Sequence, residues 1–313
     1  MTHRTLHTAT SWHRPRPRAW VAALVGAPLL LGLVAQGPSQ AAPGHASAAT
    51  KYYVSLGDSY SVGYQPSPTP GATSGFTGYV AKKEKLTLAN FGCGGATTDS
   101  ILHTDGCTAP YGPTASSGAV AYTTQTQAAA AESFISAHAS QIGLITVSIG
   151  GNDVTSCAAA TDPTSCVAAA VTTIQTNVTM LADGLRAAAG PATPIIGLTY
   201  PDVILGEWVF PSSSPDQSLA TLSVTAFKTF INPALSGAYG GAGGAFVDVT
   251  SATGAYIPLT KTTNLAPYGK IPKAVAEVCQ LTWFCQLGNI HANTKGYQLI
   301  GKLITKEYAK LPH

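Results

Sequence analysis

The chain has 313 residues and a formal net charge of +3. Its first 49 residues hold four of the 17 basic residues and none of the 14 acidic ones, so the rest carries about −1, from 13 minus 14. That balance, without a basic patch interleaved with aromatic residues, argues against nucleic acid as a partner.

The amino terminus has the pattern of a secretory signal. Four arginines precede an uncharged apolar run from Ala19 to Ala35, and small residues follow at Ser39-Gln40-Ala41 and Ala46-Ser47-Ala48. A retained membrane anchor is the alternative, but the run is short for a bilayer span. We expect residues 1–49 to be a Sec-type signal peptide with a short leader, because no twin-arginine pair is present.

The remaining residues, 50–313, are enough for one large α/β domain. We expect this part to be secreted without a stable membrane anchor and to act as a monomer. Short apolar runs alternate with amphipathic patterns along this part of the chain. The apolar runs predict five strands: one that begins at Tyr52, and four that cover Leu86–Phe91, Gly143–Ile149, Ile195–Leu198 and Phe246–Val249.

Helical patterns separate these runs. They cover Gln127–Ala139, Cys166–Gly190, Leu219–Phe230 and Asn293–Lys310, whereas Gln65–Gly78 and Asp202–Pro215 are predicted loops. Strands that alternate with helices imply a parallel sheet covered on both faces. The sequence therefore predicts an α/β fold with a mainly parallel five-stranded sheet.

The six cysteines form three pairs that are local in sequence. In an exported chain this pattern favours the disulfides Cys93–Cys107, Cys157–Cys166 and Cys279–Cys285, although six cysteines allow 15 pairings. A zinc site is the alternative, but neither a C-x-x-C motif nor a histidine cluster accompanies the cysteines. We expect no metal and no cofactor.

Candidate functional residues follow several predicted strands. Ser59, Gly95 and Asn152 each come just after one, and His291 precedes the last predicted helix. Because the carboxyl ends of parallel strands lie at one edge of the sheet, these residues should converge there.

An ester hydrolase needs a nucleophilic hydroxyl, a base, and donors aimed at the oxyanion. Ser59 would supply the nucleophile, and His291 the base, with a reference pKa near 6.5. The backbone NH groups of Ser59 and Gly95 and the side-chain amide of Asn152 would form the oxyanion hole.

Four motifs in this order resemble the blocks of the SGNH hydrolases, also called GDSL esterases and lipases. They are Gly57-Asp-Ser-Tyr, Gly92-Cys-Gly-Gly-Ala-Thr-Thr, Gly150-Gly-Asn-Asp and Asn289-Ile-His-Ala-Asn-Thr-Lys-Gly-Tyr. The resemblance spans nearly the whole predicted mature chain and is closest to secreted actinobacterial members with three disulfides. It implies a three-layer α/β/α fold of flavodoxin-like type with the four roles assigned above. The chain has no G-x-S-x-G motif, which disfavours the ordinary α/β-hydrolase fold.

The sequence departs from many family members at the residue that orients the histidine. The position three residues before His291 is Gly288, where those members have an aspartate. Some secreted relatives use a backbone carbonyl there, so we predict a Ser-His dyad with the Gly288 carbonyl, or a neighbouring one in the Cys279–Cys285 loop region, as the orienting group. Asp248, after the fifth predicted strand, is the rival.

Other functions remain open on the sequence alone. Asp58 and Asp153 could suggest a glycosidase pair, but we interpret them as residues that hold turns. The expected substrate is a small-molecule or lipid ester (carboxylesterase, lipase or phospholipase activity), with carbohydrate deacetylation as the alternative and a non-catalytic surface-binding module as the alternative of another class. The loop Trp208–Pro211 favours acyl chains weakly, and Tyr60 and Tyr64 are further candidates for an acyl pocket.

Overall fold

The structure, a computed structural model, describes residues 51–109, 111–112, 116–210 and 213–313. For residues 213–216 it describes the backbone only. The predicted leader, residues 1–49, lies outside the described residues, and so does Pro211.

Five parallel strands form the central sheet, which confirms the predicted fold class. Their spatial order is β2-β1-β3-β4-β5. The strands are β1 (Tyr52–Gly57), β2 (Thr87–Asn90), β3 (Ile142–Ser148), β4 (Ile195–Leu198) and β5 (Ala245–Val247). All residues of β3 and β4 are buried, as expected for parallel strands covered on both faces.

Helices surround this sheet, and an antiparallel hairpin of β6 (Thr262–Leu265) and β7 (Gly269–Pro272) lies outside it. The helices are α1 (Ser59–Val62), α2 (Gly75–Glu84), α3 (Ser100–His103), α4 (Gln127–Ala137), α5 (Gly151–Thr155), α6 (Pro163–Ala189), α7 (Ser213–Ala226), α8 (Asn232–Gly241), α9 (Val249–Ala252), α10 (Lys273–Leu281), α11 (Phe284–Leu287) and α12 (Thr294–Tyr308). A 3-10 helix covers Val203–Val209, and a π-helical segment covers Phe227–Ile231.

The two faces of the sheet contribute to separate apolar clusters. Val54 and Ile145 pack with residues of α4, α6 and α8, whereas Tyr53 and Leu144 pack with residues of α2 and α12. Neighbouring residues of a strand point to opposite faces, so each strand supplies both clusters. The result is a three-layer α/β/α arrangement.

Helix α6 has the apolar stripe that its sequence predicts. Asp162 caps it by accepting a hydrogen bond from the Ser165 NH (3.1 Å), and Pro163 occupies its first turn. By length and composition α6 is the one helix in the described part of the chain that could cross a membrane. In this fold Ile174 and Leu181 of its apolar face are buried against the sheet while the opposite face is exposed, so α6 is an amphipathic helix that packs on the sheet.

The structure differs from the sequence prediction in the loop Gln65–Gly78, because α2 begins at Gly75. Glycine has a low helix propensity, which hides this helix from sequence patterns. Phe76 and Val80 of α2 are fully buried in the cluster that contains α12. Tertiary packing therefore stabilises a helix that its sequence alone does not favour.

All six cysteines are disulfide-bonded, so the zinc interpretation of these residues is wrong. The bonds join Cys93 to Cys107, Cys157 to Cys166 and Cys279 to Cys285.

Candidate active site

The turn after β1 presents Ser59 at the carboxyl edge of the sheet. Gly57 has a φ of 135°, and a Cβ there would lie 2.1 Å from the Ser148 carbonyl oxygen of β3, so only glycine fits. The Gln127 side chain accepts the Gly57 NH (2.6 Å) and donates to its carbonyl (3.1 Å). Asp58 accepts the Tyr60 NH (2.9 Å) and so caps α1, which begins with Ser59. These contacts fix the backbone on both sides of the serine.

Ser59 and His291 meet at this edge. Ser59 Oγ lies 2.7 Å from His291 Nε2. The other ring nitrogen, Nδ1, lies 2.8 Å from Asn289 Oδ1, and the His291 backbone NH donates to the same oxygen (3.1 Å). Because that oxygen only accepts, Nδ1 must carry the ring proton. The Nε2 lone pair is then free to accept the serine proton.

The partner of Nδ1 differs from the sequence prediction. Gly288, whose carbonyl was expected there, ends α11 in a left-handed conformation with a φ of 60°, and the next residue supplies its side chain instead. Asp248, the rival, accepts hydrogen bonds from the Asn232 side chain (2.8 Å) and the Ser251 NH (2.7 Å) at the start of α9. Sequence reasoning missed Asn289 because it looked for an acid three residues before the histidine.

Aromatic rings surround the imidazole. The Tyr60 ring stacks on it with centroids 5.8 Å apart, and the Tyr64 ring is steeply inclined to it with centroids 4.5 Å apart. Burial lowers the pKa of His291 to about 4, since the charged form loses its hydration. The imidazole is therefore neutral at neutral pH, which is the state that a general base requires.

Asn152 lines the same cavity as Ser59, and a hydrogen bond connects it to the turn that contains Gly95. Asn152 lies in the first turn of α5, and its Nδ2 donates to the Ala96 carbonyl (2.8 Å). Its second contact, to Asp58 Oδ2, measures 3.5 Å and is longer than an ordinary N–H···O hydrogen bond. Gly95 directly precedes Ala96 and has a φ of 78°. One amide hydrogen thus anchors Asn152 to the Gly95 turn, and the other can be donated to a substrate oxygen.

The two carboxyl groups near Ser59 have separate partners. Asp58 is buried, accepts a hydrogen bond from the Tyr200 hydroxyl (2.7 Å), and has a pKa raised to about 7, mainly by burial. Asp153 accepts the Thr98 NH (3.0 Å) and the Thr98 hydroxyl (2.5 Å). Both side chains hold turns, so this pair does not have the open geometry of a glycosidase.

Comparison with known proteins adds the decisive observation. Residues 55–299 match the model of the GDSL-like Lipase/Acylhydrolase family. The chain belongs to this family. The family predicted from the sequence is thereby confirmed, and the protein is an ester hydrolase of the GDSL lipase/acylhydrolase type.

Several solved structures are similar to this GDSL hydrolase. The lipase Lip_vut3 from a goat rumen metagenome has 14% identity and a TM-score of 0.47, covering 82% of this chain and 97% of its own. The extracellular lipase of Streptomyces rimosus has 18% identity and a TM-score of 0.44, covering 82% and 99%. Phospholipase A1 of Streptomyces albidoflavus NA297 has 17% identity and a TM-score of 0.40, covering 65% and 81%. No curated protein gives a significant match.

A cavity of about 70 Å³ opens beside Ser59 and Asn152 of this GDSL hydrolase. Away from these two residues its wall is mainly apolar and includes Ile204, Phe227 and Ile290. Sequence reasoning missed these wall residues, since single apolar residues in loops give no signal of a pocket.

The aromatic residues that the sequence singled out lie in different places. Tyr60 lines the cavity, and Tyr64 contacts the imidazole. Trp208 borders a separate open surface groove, and Phe210 packs against Phe284. The loop Trp208–Pro211 is therefore not the wall of this cavity as far as the structure describes it.

The described residues contain no group of three or more His, Cys, Asp or Glu side chains arranged to hold a metal ion.

Proposed function

We propose that the protein is a secreted serine carboxylesterase or lipase that forms an acyl-enzyme on Ser59, with His291 as general base. The observation on which this rests is the 2.7 Å contact between Ser59 Oγ and the neutral Nε2 of His291. A nucleophile within hydrogen-bond reach of a base that is itself oriented by a third group is the arrangement of covalent hydrolases.

In the first half of the reaction, Ser59 Oγ attacks the ester carbonyl carbon while Nε2 takes the hydroxyl proton. The carbonyl oxygen becomes an oxyanion, for which the Ser59 and Gly95 NH groups and the Asn152 amide are the proposed donors. The C–O bond to the alcohol then breaks, and His291 returns the proton to the leaving oxygen. Asn289 holds Nδ1–H throughout and takes the place of the carboxylate in a triad.

In the second half, a water molecule repeats the attack on the acyl-serine. His291 takes the proton of the water, a second oxyanion forms at the same place, and the bond from the acyl carbon to Ser59 Oγ breaks. Proton return to Ser59 restores the enzyme and releases the carboxylic acid. No cofactor takes part in either half of this reaction.

The apolar wall beside Ser59 supports an acyl chain as the occupant of the cavity, which favours lipid and simple alkyl esters over acetylated sugars. Export is supported by the three disulfides and by the signal pattern of residues 1–49.

A fluorophosphonate probe and a p-nitrophenyl ester test the proposal together. The wild-type protein should be labelled on Ser59 and should hydrolyse the ester, and Ser59→Ala should lose both properties. Ser236→Ala, at an exposed serine of α8, is the matched control and should behave as wild type. Retained turnover in Ser59→Ala would assign the nucleophile elsewhere.

Preference among substrates is a separate measurement. We expect turnover of p-nitrophenyl esters and lipid esters, including phospholipids as one arm of the assay. Acetylated xylan is the alternative substrate in this assay. If it is hydrolysed faster than any of the p-nitrophenyl or lipid esters, the deacetylase alternative is favoured.

A further inference from the structure

A second apolar cavity adjoins the one beside Ser59 and shares part of its wall. Its volume is about 60 Å³, and its wall includes Val167, Leu219, Leu222 and the disulfide-bonded Cys157. Among the described residues of this wall Ser223 is the polar one, and its hydroxyl contacts Asp202 Oδ2 and the Ala220 carbonyl, both at 2.9 Å. A wall whose described side chains are otherwise apolar suits methylene groups and does not suit a sugar or a charged head group.

Three residues belong to the walls of both cavities. They are Val154 of α5, Ile204 of the 3-10 helix Val203–Val209, and Phe227, the first residue of the π-helical segment. They form a partition, defined here as the side chains of Val154, Ile204 and Phe227. Phe227 is the largest of the three and is 9% exposed. Short π-helical segments within α-helical stretches occur frequently at functional sites.

We propose that Phe227 determines which acyl lengths the enzyme accepts. This inference rests on the proposed acyl-enzyme at Ser59 and adds its substrate class, which is aliphatic acyl esters sorted by chain length. A short acyl group fills the first cavity, in front of the partition. A longer chain extends into the second cavity only when the Phe227 ring is displaced, so each chain that reaches the partition is hydrolysed less efficiently.

The test compares p-nitrophenyl acetate, butyrate, octanoate and dodecanoate. The readout is the ratio of kcat/KM for dodecanoate to kcat/KM for butyrate. Phe227→Ala should raise this ratio, because it joins the two cavities and lets further methylenes leave water. Each buried methylene contributes roughly 0.8 kcal/mol, or about fourfold. Two or more additional buried methylenes therefore predict a rise of at least about tenfold.

Two further variants keep the test decisive if Phe227→Ala folds poorly. Phe227→Leu retains more of the side-chain volume and should raise the ratio by a smaller factor. Val154→Phe thickens the partition from the opposite side and should lower the ratio. Adding Leu222→Trp to Phe227→Ala refills the second cavity and should reverse the rise.

Phe230→Ala is the matched control. Phe230 lies in the same π-helical segment but is 41% exposed, and it lines neither cavity. Its ratio should equal that of wild type. An unchanged ratio in both Phe227 variants, with a folded protein and measurable butyrate turnover, would overturn the role of Phe227 while leaving the proposed function intact. Loss of the proposed function would instead appear as butyrate turnover that survives Ser59→Ala.

Discussion

His291 Nε2 lies 2.7 Å from Ser59 Oγ, although 232 positions separate the two residues in the chain. Two other contacts join the same distant segments. The Tyr60 hydroxyl donates to the Ile290 carbonyl (2.7 Å), and the Tyr297 hydroxyl donates to the Tyr64 carbonyl (2.8 Å). The serine and the imidazole are thus held by hydrogen bonds on both sides of their own contact, which limits the motion of either group.

Replacing Asn289 tests the group that orients the imidazole. Asn289→Ala removes the acceptor of Nδ1–H, whose net worth as a hydrogen bond is about 0.5–1.5 kcal/mol. We expect kcat/KM to fall by roughly two- to thirteenfold with the fold intact. Asp248→Asn is the matched comparison and should leave kcat/KM close to wild type. A larger loss in Asp248→Asn than in Asn289→Ala would return the orienting role to the aspartate.

The buried imidazole predicts activity that persists in acid. The pKa of His291 is lowered to about 4, and the base is active in its neutral form, which predominates above that pKa. The acid limb of kcat/KM should therefore have its midpoint near pH 4, well below the ordinary 6.5 of histidine. Asn289→Asp places a negative charge beside Nδ1–H, favours the imidazolium, and should move the limb to higher pH. A wild-type midpoint near 6.5 would contradict the burial of this ring.

Asn152→Ala tests the oxyanion hole. If the Asn152 amide meets the oxyanion, its removal should cost about 2.7–4 kcal/mol, or roughly a hundred- to thousandfold in kcat. KM should change much less, since this interaction strengthens in the transition state. Asn264→Ala, at an exposed asparagine of β6, is the control. Equal kinetics for the two variants would place the donors elsewhere.

Two buried carboxyl groups predict that stability depends on pH. Burial raises the pKa values of Asp58 and Asp202 to about 7, from an ordinary value of 3.8. Below pH 3.8 the two carboxyl groups are protonated in both the folded and the unfolded chain. Between about pH 4 and 7 they are ionised in the unfolded chain but still protonated in the folded protein. Each group therefore makes folding less favourable as pH rises through this window, by up to roughly 1.4 kcal/mol per pH unit. His291 acts in the opposite direction between about 4 and 6.5.

Asp202→Asn measures one of these contributions at a residue that does not itself line the cavity beside Ser59. Its Tm should fall less steeply between pH 4 and 7 than that of the wild type, by differential scanning calorimetry. Asp183→Asn, at an exposed aspartate of α6, should keep the wild-type slope. Parallel slopes in Asp202→Asn and wild type would mean that Asp202 is ionised in the folded protein throughout.

Sequence reasoning predicted the sheet and the convergence of Ser59 and His291 because both follow from local patterns. Continuous apolar runs mark buried parallel strands, and parallel strands place their carboxyl ends at one edge. The start of α2 was not predictable in this way. Its helix is stabilised by burial of Phe76 and Val80 against distant residues, a contribution that its local sequence does not reveal.

The residues of the candidate site that sequence reasoning missed also depend on contacts between distant parts of the chain. Gln127 was recognised only as the first residue of a predicted helix, yet its amide hydrogen-bonds both backbone groups of Gly57, 70 positions away. Phe227 was assigned to a helix, and its position between two cavities depends on how three separate elements pack. Asn289 was the one missed residue with a sequence signal, because it lies two positions before the histidine whose NH and ring it binds.

The Gln127 contact also links the reactive turn to the opposite layer of the molecule. Its helix, α4, packs on the face of the sheet opposite α12. The Gln127 side-chain amide nevertheless forms hydrogen bonds with the backbone NH and carbonyl of Gly57, immediately before Asp58. Any displacement of α4 is therefore transmitted to the position of the nucleophile through two hydrogen bonds. Substitutions along the buried side of α4, at residues such as Ala131 and Ile135, should alter turnover as well as folding, even though they touch no substrate.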